Sequence, residues 1–353
     1  MFSHKNLATG LTGAAILFGT TSARQIPSGV PSFALDYAPL VYLFSGENYN
    51  PSDISAQLPP NTTPKNNFTA ITNGPNPLTL DNLSQLSNSA SLSSTEDFTT
   101  FPRQPSYLYG VRPSSSGQTG DAVSCAIIVN DHDSTPGSNV TDVFYMYFYA
   151  FDYGGDYFSF NVGNHVGDWE HTMVRFVNGT PSAMWFSQHA NGQAFMYAAT
   201  EKGKDEKRPI AYSANGTHAN YATPGVHDHT LPNINLPFPF LIPDHTSAGS
   251  LWDPTLSAYY YHYSTASNRT AGVTGTFTAY DDSAPTDWLY WLGRWGDENL
   301  PKSDPRQSCP FGIDALCRWS GGPTGPVDKQ LNRAKVCPDN GNPCIVRSVL
   351  SAK

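Results

Sequence analysis

The chain has 353 residues, including 29 Gly, 29 Pro, 19 Tyr, 19 Phe and 7 Trp, and only 14% of it is charged. This content excludes a coiled coil or helical bundle, which needs long Ala/Glu/Lys/Leu-rich periodic stretches, and it excludes a disordered chain, because the aromatics bring enough apolar surface to offset ordering entropy. A net charge of −9 leaves no basic surface for nucleic acid and no polybasic segment for an anionic membrane.

The chain opens with Lys5, an apolar run from Leu7 to Phe18, and Thr21-Ser22-Ala23. That order of charged, apolar and small residues predicts a secretory signal peptide over 1–23. The run is shorter than the ~20 apolar residues a membrane anchor needs, and no later stretch is long enough. The expectation is therefore a soluble, secreted or vacuole-lumen protein with a single β-rich domain from 24 to 353. Export also fits the Asn-X-Ser/Thr sequons at Asn61, Asn67, Asn82, Asn139, Asn178, Asn215 and Asn268, candidate glycosylation positions. Asn215 lies inside a motif described below and is the weakest of them.

Apolar and aromatic residues over 31–44 predict a first strand, and the Asn/Ser/Thr/Pro-rich stretch 46–100 a solvated excursion with a short helix near Leu80–Leu86. Strand-like runs follow at 121–129, 142–153, 168–177, 182–188, 193–199 and 208–214, separated by Gly, Pro and Asn clusters. The fold class they predict is all-β: an antiparallel β-sandwich with long loops. Cys309, Cys317, Cys337 and Cys344 crowd into the tail at 303–353 and predict two disulfides, with all three pairings open. Cys125, in an apolar run, reads as a buried small residue.

The densest polar information is Gly163-Asn164-His165-Val166-Gly167-Asp168-Trp169-Glu170-His171, leading into an apolar strand. Side chains alternate faces along a strand, so Asp168 and Glu170 share one face, roughly 6–7 Å apart at Cα, and Trp169 and His171 share the other. Two carboxylates on one face repel at neutral pH unless a cation or a proton lies between them. A divalent cation with oxygen ligands answers that repulsion, Ca²⁺ or Mg²⁺ before Zn²⁺; a shared proton answers it too, and makes an acid/base pair. A bland alternative is a salt-bridged pair beside Arg175 or Lys207. His189 and His218 follow strand ends on small-residue turns, and His227 lies in a later turn. Asp168, Glu170, His189 and His218 are the candidate catalytic residues, and no zinc-protease, nucleophile-elbow, P-loop or dinucleotide motif accompanies them.

The blocks Tyr37-Ala38-Pro39-Leu40-Val41 to Pro51-Ser52-Asp53-Ile54, Asn164 to His171, Arg208 to Tyr221 and Arg294 to Asp297 resemble the vacuolar protein sorting 62 family of fungi and plants, in the family's order. The resemblance implies a vacuolar- or secretory-pathway protein and no particular reaction. His165-Val166-Gly167-Asp168-Trp169-Glu170 is also similar, more distantly, to the core of the necrosis- and ethylene-inducing-like secreted proteins. That likeness implies a β-sandwich in which His165, Asp168 and Glu170 hold a divalent cation used to engage a lipid headgroup, with Asp152 as a further aspartate. Val166-Gly167 replaces an Arg-His pair of that core.

Three functions compete at this point. One is cation-assisted binding of a glycan, lipid headgroup or small molecule. Another is a metal-assisted or carboxylate-pair hydrolase or lyase. The third is a non-catalytic vacuolar sorting factor in which the motif is a folding clasp around Trp169.

Overall fold

The structure, a computed structural model, describes residues 25–350 apart from 134, 136, 158, 230–241 and 266–274. The expected signal peptide at 1–23 and the sequon at Asn268 lie outside the described residues.

The aromatic runs form the centre of the molecule. Val140–Asp152 and His165–Val177, thirteen residues each, pair antiparallel along their length. They occupy the middle of an eight-stranded sheet in the order Thr276–Ala279, Ala258–Ser264, Cys125–Asn130, Val140–Asp152, His165–Val177, Thr180–Gln188, Asn191–Met196 and Val346–Arg347. The sheet is mostly antiparallel, but Ala258–Ser264 runs parallel to Cys125–Asn130, and Val346–Arg347 parallel to Asn191–Met196. These two pairings join segments far apart in sequence, which strand patterns do not encode.

Both faces of this sheet are buried, which is why 125–129 and 143–151 are apolar or aromatic without interruption instead of alternating with polar residues. Val143, Tyr145, Tyr147, Tyr149, Val174 and Phe176 point toward a second sheet of Asn220–Tyr221, Ile210–Ser213, Leu40–Tyr42 and Leu251–Trp252, meeting Val41, Ala211 and Trp252. This is the sandwich. Phe144, Met146, Phe148, Trp169 and Met173 pack on the opposite side against Leu80, Leu83, Leu92, Trp288, Trp291 and Trp295.

The stretch 46–100 is thus not a solvated excursion. Its scattered leucines and Ile54 cover the sheet, and its polar segments Thr62–Asn66, Thr69–Ala70 and Ser91–Ser94 pair in a small sheet of their own. The expected helix there is a single 3-10 turn, Leu83–Gln85. The expected first strand divides into a short helix, Ser32–Asp36, and the strand Leu40–Tyr42. Ala34 and Ala38, four apart and both fully buried, follow the helical spacing instead of the alternating one.

In the tail, Cys309 pairs with Cys317 and Cys337 with Cys344, each bridge closing a short local loop. Cys125 is free and fully buried. Arg175 fastens the tail to the sheet. Its guanidinium donates to both oxygens of Asp142, at 2.8 and 2.7 Å, and to the carbonyls of Arg333, Ala334 and Lys335.

Candidate metal centre and its surroundings

Asp152 closes one central strand and stands opposite His165, which opens the next. Strict alternation would send His165 and Asp168, three residues apart, to opposite faces. Gly167 removes the conflict: its φ of +69° breaks the alternation, and its backbone lies so close to Trp295 that a Cβ there would fall 1.7 Å from the Trp295 carbonyl oxygen. One ligand atom each from Asp152, His165 and Asp168 consequently gathers within 4.8 Å.

The hydrogen bonds fix the state of each group. His165 Nδ1 donates to the Gly167 carbonyl at 2.7 Å, which leaves the Nε2 lone pair facing Asp152 Oδ2 at 3.8 Å. Asp168 Oδ2 lies 3.0 Å from His218 Nδ1, and His218 Nε2 lies 3.0 Å from the carbonyl oxygen of Tyr49. Both ring nitrogens of His218 face acceptors, so both carry protons and the ring is an imidazolium. It is fully buried, and stacks on Tyr149 with centroids 3.7 Å apart and planes 5° from parallel. Burial works against this charge, but the bond to Asp168 and the nearby Glu47 outweigh it and raise the His218 pKa. Burial likewise pushes Asp168 upward, and the His218 bond and charge overcome it, holding that carboxyl below the usual range.

Asp152 has no such help. Its carboxylate, 5% exposed, accepts no hydrogen bond from any described side chain or backbone group. Burial, then the charges of Asp168, Asp244 and Glu170, drive its pKa well up. Glu170 accepts from the Ser187 hydroxyl, which itself accepts from the His171 amide. Burial and Asp168 push Glu170 up to about 7, with Ser187 partly offsetting them.

Asp168 and Glu170 do share a face, while Trp169 packs against Trp288 and Trp295 on the other. The convergent triad is completed by Asp152, not by Glu170, whose carboxylate turns to Ser187. The bland alternative, a salt bridge to Arg175 or Lys207, does not form among the described residues: Arg175 is engaged by Asp142, and Asp168 pairs with His218. His171 accepts from Arg333 at 2.8 Å and belongs to the opposite face. His227 stacks on Tyr221 and meets Thr246, away from the triad.

His189 reaches Asp244 at 2.8 Å, and Asp244 also accepts from Thr217 and Tyr221. Burial opposes charging of His189, but Asp244 prevails and raises its pKa. Asp244 is a residue that sequence reasoning missed: it sits in Ile242–Thr246 beyond a Pro-rich stretch, with no spacing that ties it to the motif. Glu47 and the Tyr49 carbonyl were equally invisible, because backbone acceptors and distant chain crossings leave no sequence signal.

A family model described as vacuolar protein sorting-associated protein 62 matches residues 117–230, a range that holds all three triad residues and His218. The Saccharomyces cerevisiae protein TDA6, whose name assigns it provisionally to vacuolar protein sorting, is 34% identical over 88% of this chain and 69% of its own length. Vacuolar protein sorting-associated protein 62 of the same yeast is 32% identical over 87% of this chain and 68% of its own. Among solved structures, Necrosis and Ethylene inducing Protein 2 from the agent of cocoa's Witches Broom disease is 13% identical, with a TM-score of 0.27 over 56% of this chain and 71% of that one. The non-toxic HaNLP3 protein is 12% identical, with a TM-score of 0.26 over 68% of this chain and 81% of that one. On the strength of the two yeast relatives, the chain belongs to the vacuolar protein sorting-associated protein 62 family.

Proposed function

We propose that this chain is a vacuolar- or secretory-pathway binding protein that holds one divalent cation with Asp152, His165 and Asp168 and uses it to engage a polyhydroxylated ligand, a glycan or a lipid headgroup. The observation that carries the reading is Asp152: a buried carboxylate with no donor, facing a second carboxylate and a free imidazole lone pair. A buried carboxylate is ordinarily satisfied by hydrogen bonds or a counter-charge, and a cation supplies that counter-charge here. Two carboxylates to one imidazole favour Ca²⁺ or Mg²⁺ over Zn²⁺. Glu170 adds to the negative field without joining the triad.

Binding fits better than hydrolysis because the candidate bases are already engaged. Asp168 is paired with an imidazolium and Glu170 with Ser187, so neither faces a substrate as a free base. The yeast relatives' names support a vacuolar address, and the leader expected at 1–23 and the sequons support entry into the secretory pathway. Asn67 and Asn178 are exposed, whereas the Asn61 and Asn82 amides donate to backbone carbonyls and the Asn139 amide donates to Asn178 Oδ1 at 3.0 Å, which makes Asn67 and Asn178 the preferred glycan positions.

The test is metal analysis of purified protein followed by melting scans. Removing the ion with chelator should lower the melting temperature, and adding back Ca²⁺ or Mg²⁺ should restore it. A melting temperature indifferent to both would dismiss the cation.

A further inference from the structure

We propose that an aromatic cleft beside the triad is an oligosaccharide subsite, with Tyr109 and Tyr153 as its stacking surfaces, Phe101 as its apolar side wall and Arg318 and Asp156 as its polar grips. This rests on the ligand-binding reading above, but it does not require the cation. The cleft encloses about 530 Å³, within the size range of small-ligand sites. Tyr49 forms its floor and is stacked by Tyr109, centroids 5.5 Å apart and planes 6° from parallel, and by Tyr153 at 6.2 Å and 19°. Phe101 stands edge-on to Tyr153 at 5.5 Å. Tyr109, Tyr153 and Phe101 are half-buried, and Phe101 is itself stacked on Trp319 with centroids 5.8 Å apart and planes 11° from parallel.

Aromatic faces carry negative charge and attract the positive C–H face of a pyranose ring, while the sugar's hydroxyls require planar donors and acceptors at the rim. The rim supplies both. Arg318 donates through Nε to Asn161 at 3.2 Å, yet Nη1 and Nη2 have no hydrogen-bond or ion-pair partner among the described residues. Those four N–H bonds form a fork held over Phe101 and Trp319. Asp156, exposed, accepts from the Tyr153 hydroxyl at 2.5 Å and keeps further lone pairs free. A cationic ligand is disfavoured by Arg318 in the wall, and an apolar one by the polar rim.

A second space of about 530 Å³, lined by Tyr157, Asn215 and His245, adjoins the first at Tyr153 and Asp156, so a ligand longer than one ring has room. Backbone links connect the cleft to the triad: Tyr153 follows Asp152, and the Tyr49 carbonyl accepts from the His218 that holds Asp168.

The purified protein, loaded with Ca²⁺, is titrated by calorimetry with mannotriose, cellotriose and trigalacturonic acid, and the metal-free protein with Ca²⁺ in parallel. Saturable binding of at least one trisaccharide is expected. Arg318→Gln and Asp156→Asn should each weaken it about tenfold, the loss of one hydrogen bond to a charged group, with melting temperature unchanged. No binding of any trisaccharide by protein that melts cooperatively and binds Ca²⁺ overturns the proposal and leaves the cation reading standing. Binding untouched by both substitutions overturns it as well. Sugar binding that persists in chelator and in Asp168→Asn supports the cleft and removes the cation from its mechanism.

Discussion

Asp152 and Glu170 are carboxyls that the fold makes harder to ionise, and this gives the site a pH signature. Glu170's folded-state pKa, raised to about 7, lies above its free value, so its protonation favours folding. That contribution is fully present below the ordinary carboxylate range and is lost as pH rises through about 7. A cation acts in the opposite direction, because it binds the ionised groups. In melting scans, Ca²⁺ should therefore raise the melting temperature more at about pH 8 than at about pH 5.5, and an equal or reversed effect would contradict the arrangement. At this scale the sequence was partly legible. His165 and Asp168 stood out because a dense polar motif at the entry of an apolar strand has to be accounted for. Asp152 came only through a resemblance, and Asp244 and Glu47 not at all, since the contacts that bring them in are tertiary.

Gly167 shows how an element, not only a residue, makes the site. The glycine keeps a left-handed bend in an otherwise regular strand and brings His165 to the side of Asp168. Gly167→Ala combines the backbone penalty with a clash at Trp295 and should cost about 3 kcal/mol or more in urea unfolding, together with loss of the Ca²⁺-dependent melting shift. A variant as stable and as responsive as the parent would show that the bend is not needed. The central strands were readable because long aromatic and β-branched runs bounded by turn residues admit few other structures. The stretches 31–37 and 46–100 misled for opposite reasons. Apolar residues at a four-residue spacing were too few to separate helix from strand, and a polar majority concealed leucines that cover the sheet.

For the molecule as a whole, one two-faced sheet organises everything else: a second sheet on one side, leucine- and tryptophan-bearing loops on the other, and a disulfide-closed tail tied on at Arg175. Asp142, fully buried between Arg175 and His132, is the anchor of that tie. Asp142→Ala leaves a guanidinium without its counter-charge and should destabilise the protein by ~3–5 kcal/mol in urea unfolding. A loss under about 1 kcal/mol would mean the tail is held without that counter-charge. The parallel pairings and the tail's course were beyond reach of the sequence, because both join segments with no local pattern in common. The divalent cation proposed at the end of this sheet sits where the two longest strands meet, at Asp152 and His165. Calorimetric titration of metal-free protein with Ca²⁺ and Mg²⁺, beside Asp152→Asn, tests it most directly. A single saturable site in the parent that disappears in the variant is the predicted result, and no site in the parent, or the same site in both, would contradict it.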